Sequence, residues 1–326
     1  MDLRSPADSN LPEPLPAVAV VIPVYNGEAD LPGLLEGLNR QTYPVDRLEI
    51  WLVDNGSDDR TAEIIQAALR QHSHLHYLRQ DTIQSSYAAR NAGIVAARSE
   101  IIAFTDVDCR PTPEWLAELV QPFQDPQVGL VAGEIQALTG HSWLERYADR
   151  QQILSQRNTF HHPFCPYGQT ANLAIRTKIF SQVGLFRPHL TTGGDADLCW
   201  RILRSTPWQM VLAESAVVHH RHRDSLQELR HQWYRYGCSN RYLHDLHGIE
   251  LMRPLTPAEM RYRLARWLLK ELPRDLLGWF QGRAGLVDFV VTPLDLVCFQ
   301  ARTRGQQEAQ LPAEARRIPL LEEPAP

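Results

Sequence analysis

The sequence predicts an α/β fold: a doubly wound, mostly parallel sheet with helices on both faces, followed by a helical C-terminal extension. Three observations predict it. Apolar runs of strand length and rich in β-branched residues, "VAVVIPVY" at 18–25 first among them, have the pattern of strands buried on both faces. Helical patterns alternate with such runs through about residue 136, the order expected of parallel βαβ units. From about residue 255 the chain is helical and basic on one side.

The elements follow in order. After "VAVVIPVY" a helix carries Leu31, Leu34, Leu35 and Leu38 on one face. "LEIWLVD" is the second strand. Ser57 is placed to cap the next helix, with Asp58 and Asp59 in its first turn, where the helix dipole favours them. "LHYL" is a short third strand, "SYAARNAGIVAAR" a small-residue helix suited to close packing, and "EIIAFTD" the fourth strand. Thr112-Pro113 reads as a cap and first position of another helix, and "VGLVAGEIQ" as a further strand. Beyond residue 140 the pattern loosens. It suggests a helix over 143–156, a helix over 196–204, a strand pair over 208–222 and a helix from Ser225.

Composition excludes several classes. The chain has 326 residues, 44% hydrophobic and 22% charged, which is ordinary globular composition. A net charge of −5 argues against general nucleic-acid binding. The five cysteines form no C-x-x-C pair, so neither a disulfide framework nor a cysteine zinc site is indicated, and a reducing compartment is expected. The opening residues lack the apolar core of a signal peptide, and the late apolar run "AGLVDFVVTPLDLVCF" is too short and too charged to span a membrane.

Candidate chemistry gathers at strand ends, where open α/β sheets bind ligands. "EIIAFTDVDCRP" closes a strand with Asp106 and Asp108, two like charges that raise each other's pKa unless a cation lies beside them. Continued strand alternation would turn both to one side, and a hard divalent ion would relieve their repulsion. Alone, such a pair equally suits two solvated loop aspartates. Asp54 ends "WLVD" and Tyr25 ends "IPVY", while Arg90 lies on the helix in "AARNAG". Each has a bland alternative: turn former, core ring, surface charge. Together at one sheet edge they favour a nucleotide site. A dinucleotide oxidoreductase would need G-x-G-x-x-G after the first strand, and this chain has "YNGEAD" with one glycine and no P-loop.

The series "VVIPVYNGEADL", "WLVDNGSDDRT", "AARNAG" and "AFTDVDC" resembles the nucleotide-binding half of family 2 glycosyltransferases of GT-A fold, over about residues 18–240. The resemblance implies an inverting transfer of sugar from a nucleoside diphosphate sugar, UDP-sugar favoured, to an acceptor hydroxyl. It implies that Pro23, Tyr25, Asp54, Arg90 and Asp106 bind the nucleotide sugar. Asp108, with His220 from "VVHHRHRDS", would hold Mg²⁺ or Mn²⁺. In "GGDADLCWRI", Asp195 would be the general base, with Gly194 where the family carries Glu. Asp197, with Gln232 and Arg235 from "QWYRY", would line the acceptor and diphosphate side. The implied layout is residues 1–16 disordered, 17–138 binding donor, 139–245 binding acceptor, 246–304 helical and 305–326 a disordered tail. The alternatives are a nucleotidyltransferase and a non-catalytic nucleotide-binding protein. The acceptor is an unknown hydroxyl, lipid-linked in many relatives. No nucleic-acid partner is expected. "AEMRYRLARWLLKEL" sets Met260, Leu264, Trp267, Leu268 and Leu272 among basic residues, as peripheral contact at a cytoplasmic membrane face requires, and the same face equally suits a helix that caps the domain's core.

Overall fold

A computed structural model describes residues 15–138, 142–221 and 225–321. The chain divides into two compact units. Of the described residues, those within 15–136, 155–220 and 313–321 form the first, and those within 137–154 and 221–312 the second. The division falls after residue 136, the expected segment 139–245 is shared between the units, and the described residues from 313 onward belong to the first.

The first unit holds an eight-stranded sheet. Its strands are β1 (Val18–Val24), β2 (Leu48–Asp54), β3 (Leu75–Arg79), β4 (Ile101–Phe104), β5 (Cys109–Pro111), β6 (Val128–Ala137), β7 (Leu173–Arg176) and β8 (Gln209–His220). They lie in the order β3-β2-β1-β4-β7-β6-β8-β5. The block β3-β2-β1-β4 is parallel. Beyond β4, the pairings β4–β7, β6–β7 and β5–β8 are antiparallel. Every residue of β1 and β4 is buried, which is why both read as unbroken apolar runs.

Pro23 sits in central β1 opposite Val53. The carbonyl of Val24 turns toward β2 and accepts from the Asn55 N–H at 2.7 Å. By alternation Pro23 faces the β4 side, where pairing has already ended at Val21↔Phe104. The missing N–H therefore breaks no rung of the ladder.

Helices α1 (Leu31–Asn39), α2 (Thr61–Leu69), α3 (Ser86–Ala96) and α4 (Trp115–Val120) connect the early strands. Two starts differ from expectation. Ser57 does not cap α2, because its hydroxyl accepts from the Asn26 N–H and the helix begins four residues later. Thr112 does not cap α4 either. Its hydroxyl bonds the Val217 carbonyl, and Thr112-Pro113 forms the turn before Trp115. The helix expected over 143–156 is α5 (Trp143–Arg150) and α6 (Gln156–Phe160), parted at Gln152 with φ of 48°. Helices α7 (Ile179–Val183) and α8 (Gly194–Ser205) follow. The expected strand pair over 208–222 is one strand, β8; His222 lies outside the described residues.

The second unit consists of α5, α9 (Leu226–His247), α10 (Pro257–Arg266), α11 (Leu272–Phe280) and α12 (Val291–Glu308). The helix expected from Ser225 is α9, and the Ser225 hydroxyl caps it, accepting from the Glu228 N–H. Leu144, Tyr147, Leu229, Leu294 and Cys298 form a buried cluster, with Trp233 packed against it.

The expected disordered tail is corrected by the structure. Helix α12 continues to Glu308, and Ala315 is fully buried. The Leu185 N–H donates to the Pro319 carbonyl at 2.8 Å, and Arg187 donates to the carbonyls of Ala315 and Arg316. The segment is polar enough to read as solvated, yet its backbone carbonyls give a buried arginine its partners. Residues 1–14 and 322–326, also expected to be disordered, lie outside the described residues.

Candidate active site

The candidate site is built where β1, β2 and β4 end and α8 begins. Tyr25, just past β1, is half exposed, so the core-ring reading fails and a ring face is open to solvent. Asp54 ends β2 fully buried. Its Oδ1 accepts from the Ser57 N–H at 2.8 Å, its Oδ2 from the Tyr77 hydroxyl at 3.1 Å, and Arg79 lies at 3.6 Å. Asp54 is therefore also the turn former, with Gly56 at φ of 84° completing the bend.

The loop after β1 takes its partners from the loop after β2. The N–H groups of Asn26, Gly27 and Glu28 donate to Ser57 Oγ, Thr61 Oγ1 and Asp59 Oδ2 at 2.8–3.0 Å. In dinucleotide-binding folds the corresponding amides cradle a diphosphate. Here side chains already occupy them, so a diphosphate would need its charge balanced by other means.

Asp106 and Asp108 are not two charges in opposition. β4 ends at Phe104, and a turn closed by the Cys109 N–H on the Asp106 carbonyl separates the carboxylates, so strand alternation does not apply. Asp106 pairs with Arg90 at 2.5 Å. Arg90 is buried, contrary to its surface-charge reading, and its Nε has no hydrogen-bond partner. Asp108 lies 3.3 Å from His220 Nε2, which the β5–β8 register brings opposite Cys109. Ligand atoms of Asp108, Cys109 and His220 lie within 4.8 Å of one another.

This donor set fits a divalent cation. It offers a carboxylate oxygen and an imidazole nitrogen at close range, and Mg²⁺ or Mn²⁺ would complete its shell with phosphate oxygens and water. Burial, then the charges of Asp108 and Asp106, push the Cys109 thiol well above its ordinary pKa, so it is the weakest of the three donors. Asp106 is outside this group and belongs to Arg90.

Asp195 lies in the first turn of α8. Gly193 before it takes a left-handed φ of 78°. The next residue, Gly194, has no room for a side chain: a Cβ there would meet the Tyr87 ring at 2.7 Å. Its N–H donates to the Tyr87 hydroxyl at 2.9 Å. That contact is a local reason for glycine in the place of the expected glutamate. Asp195 Oδ2 accepts from the Thr170 N–H at 3.2 Å, and Oδ1 is buried with no hydrogen-bond partner. Burial raises the Asp195 carboxyl above its ordinary pKa, against the opposing pull of Arg90.

Asp197 is placed differently from expectation. It is fully buried and holds Arg187 at 3.0 Å and Arg201 at 3.1 Å, one on each oxygen. It anchors α8 and presents no surface to an acceptor. Gln232 and Arg235 lie on α9 and belong to the second unit, Arg235 exposed. Three site residues were not read from the sequence: Cys109, Tyr87 and Thr170. Tyr87 carried a signal, since it stands three residues before Arg90 on the same helix face. The other two are brought in by register and by a loop.

A family model described as glycosyl transferase family 2 matches residues 19–184, about half of the chain. The chain belongs to glycosyl transferase family 2. This family 2 chain is 37% identical over 188 residues to Glycosyltransferase AglE of Haloferax volcanii, covering 56% of this chain and 59% of that one. It is 31% identical over 218 residues to the pre-mycofactocin glycosyltransferase of Mycobacterium tuberculosis, with 65% and 44% covered. It is 37% identical over 151 residues to an undecaprenyl-phosphate 4-deoxy-4-formamido-L-arabinose transferase of Pseudomonas aeruginosa, with 45% and 44% covered. The matched region thus spans about half the length of these relatives. Among solved structures, the mannosyltransferase PcManGT from Pyrobaculum calidifontis, in complex with GDP-Man and Mn²⁺, superposes with a TM-score of 0.61 at 17% identity, covering 90% of this chain and 87% of that one. TarS 1-349 of S. aureus in complex with UDP-GlcNAc gives 0.51 at 14% identity, covering 89% and 90%. These structural matches establish the GT-A fold.

Proposed function

We propose that the chain is an inverting, metal-assisted glycosyltransferase. It moves a sugar from a nucleoside diphosphate sugar, a UDP-sugar by preference, to the hydroxyl of a lipid-linked acceptor at a membrane face. The observation that carries this reading is Asp195: a half-buried residue whose Oδ1 is enclosed and unpartnered, beside the pair Arg90–Asp106.

The chemistry follows from the residues. The acceptor hydroxyl gives its proton to Asp195 as its oxygen attacks the anomeric carbon. The bond from that carbon to the diphosphate oxygen breaks on the opposite face, and the configuration inverts. A raised pKa strengthens Asp195 as a base, because proton transfer improves as the acceptor's pKa approaches the working pH. Asp106, oriented by Arg90, faces the ribose. Tyr25 stacks on the base, and Asp54 accepts from its edge. A carboxylate has about four acceptor positions, so the bonds from Ser57 and Tyr77 leave capacity for a base that opens the enclosure. Asp108 and His220 would hold a divalent cation, which when bound stabilises charge developing on the leaving diphosphate. The occupied amides of Asn26, Gly27 and Glu28 support that division of labour. A lipid-linked acceptor is supported by the relative named an undecaprenyl-phosphate transferase.

The test is donor turnover and nucleotide binding in Asp195→Asn. Loss of transfer with nucleotide affinity retained is expected. Unchanged turnover overturns the base assignment and favours a nucleotidyltransferase. A parent protein that binds nucleotide sugars without turning any over is the binding-protein alternative. A screen of UDP- and GDP-sugars by thermal shift, with Mg²⁺ and Mn²⁺, identifies the donor.

A further inference from the structure

The second unit carries a surface that nothing in the cleft explains. Of fifteen large apolar residues exposed among the described residues, nine lie between 262 and 286. Leu269, Phe280 and Leu286 are 73%, 80% and 69% exposed. Helix α11 is inside out: its buried residue is Asp275, while Leu276, Leu277, Trp279 and Phe280 face solvent. Neither α10 nor the segment after it buries a residue. A helix that caps a core has the opposite pattern.

The backbone arranges this surface. α10 and α11 are joined through a π-helical turn, Trp267–Glu271, into one continuous run. Pro273 has no N–H to close the α-helical bond to residue 269, and the wider turn accommodates that loss. On a regular α-helix, positions eight apart point about 80° away from each other. The π turn rotates the second half back, which brings Leu276 and Leu277 nearer in line with Leu268 and Leu269. The apolar face is shifted from that expected by sequence. Trp267 is half-buried and donates to the Phe289 carbonyl at 3.0 Å, so Trp279 is the exposed indole of this segment.

The net charge of the segment is positive. Residues 257–286 carry six basic and three acidic side chains in a chain of net charge −5. Arg266 and Arg274 pair with Glu271 and Asp275. Arg261, Lys270 and Arg283 are exposed.

We infer that residues 262–286 form an interfacial anchor that seats the second unit on an anionic lipid bilayer. The apolar rim enters the acyl boundary, Trp279 sits at the headgroup level, and Arg261, Lys270 and Arg283 meet lipid phosphates. No helix among the described residues is long and apolar enough to cross a membrane, so the contact lies in one leaflet. A second copy of the chain is a poorer occupant, since pairing would oppose the same basic residues. The inference rests on the second unit alone and stands apart from the reading of the cleft.

Vesicle flotation tests it. At low salt the protein is expected to float with phosphatidylcholine vesicles containing phosphatidylglycerol, and not with phosphatidylcholine alone. Leu269→Glu/Phe280→Glu and Lys270→Glu/Arg283→Glu should each lower the bound fraction by roughly tenfold or more. These side chains are exposed, so the thermal midpoint should hold. Acyl-brominated lipids should quench the fluorescence of the parent and not of Trp279→Phe. The inference is overturned by a parent that stays in solution with anionic vesicles. It is equally overturned by apolar variants that float like the parent, or by a dimer that Phe280→Glu dissociates in the absence of any lipid binding. Flotation without donor turnover would count against the cleft reading alone, and turnover without flotation against the anchor alone.

Discussion

Each ionisable residue of the cleft has its role set by what stands next to it. Asp106 and Asp108 are two residues apart in sequence and have different partners, Arg90 and His220. Asp195 is at odds with its surroundings, since burial opposes its charge. An acid whose pKa is raised on folding binds its proton more readily folded than unfolded, so its ionised form lowers stability above the unfolded pKa. Asp195→Asn should therefore abolish transfer and raise the thermal midpoint at neutral pH. The gain should shrink as the pH falls toward the ordinary carboxylate range, where Asp195 is protonated in both states. A midpoint below the parent's at neutral pH would contradict the desolvation account. Arg90→Met should cost about 3 kcal/mol by urea unfolding, because it leaves Asp106 without its partner in a mostly enclosed site. For the cation site, chelator should abolish transfer, and Asp108→Ala should remove the thermal shift that Mn²⁺ gives the parent. Full activity in excess chelator would discard Asp108 and His220 as ligands.

Two helix contacts decide where the elements sit. α3 and α8 meet with Gly194 against the Tyr87 ring. Gly194→Glu, which restores the family's usual residue, should destabilise the fold by about 1–3 kcal/mol, the usual cost of overpacking. Adding Tyr87→Ala should recover part of that loss, and a double-mutant cycle in urea measures the coupling. In the second unit, α9 and α12 approach so closely that a Cβ on Gly237 would collide with the Arg302 carbonyl, and one on Gly305 with the Tyr234 carbonyl. Backbone cannot yield as a flexible side chain can. Gly237→Ala and Gly305→Ala should each cost more than Gly194→Ala, where the neighbour is a side chain. Equal losses in urea midpoint would mean that the α9–α12 contact relaxes freely.

At the scale of the whole chain, the last residues return to the first unit. Residues 313–321 give Arg187 two carbonyl partners and Leu185 a third contact, and Arg187 holds Asp197 inside α8. A chain ending at Pro312 should lose about 2–3 kcal/mol, the cost of leaving a buried charged donor short of partners. Its donor turnover should fall with the midpoint, since α8 carries Asp195. An unchanged midpoint would show that water replaces the tail at no cost.

The sequence by itself determined the parallel half of the sheet, because β1, β2 and β4 are buried strands whose apolar runs are local patterns. It also determined which residues stand at the strand ends: Tyr25, Asp54, Asp106 and Asp108 follow directly from where those runs stop. Helix starts were less legible. Ser57 and Thr112 are good caps in isolation, but distant backbone groups compete for the same hydroxyls. Only the tertiary structure decided the partners. Arg90 is placed at the site by its company in sequence, but its partner Asp106 and its burial come only when α3 packs on the sheet. Asp197 reads as part of a site until Arg187 and Arg201 enclose it. His220 meets Asp108 only through the β5–β8 register, across more than a hundred residues. The tail reads as disordered because composition reports what a segment can bury, while its order comes from the backbone carbonyls it offers Arg187. Strand identity depends on neighbours in sequence, whereas a charge's role depends on neighbours in space.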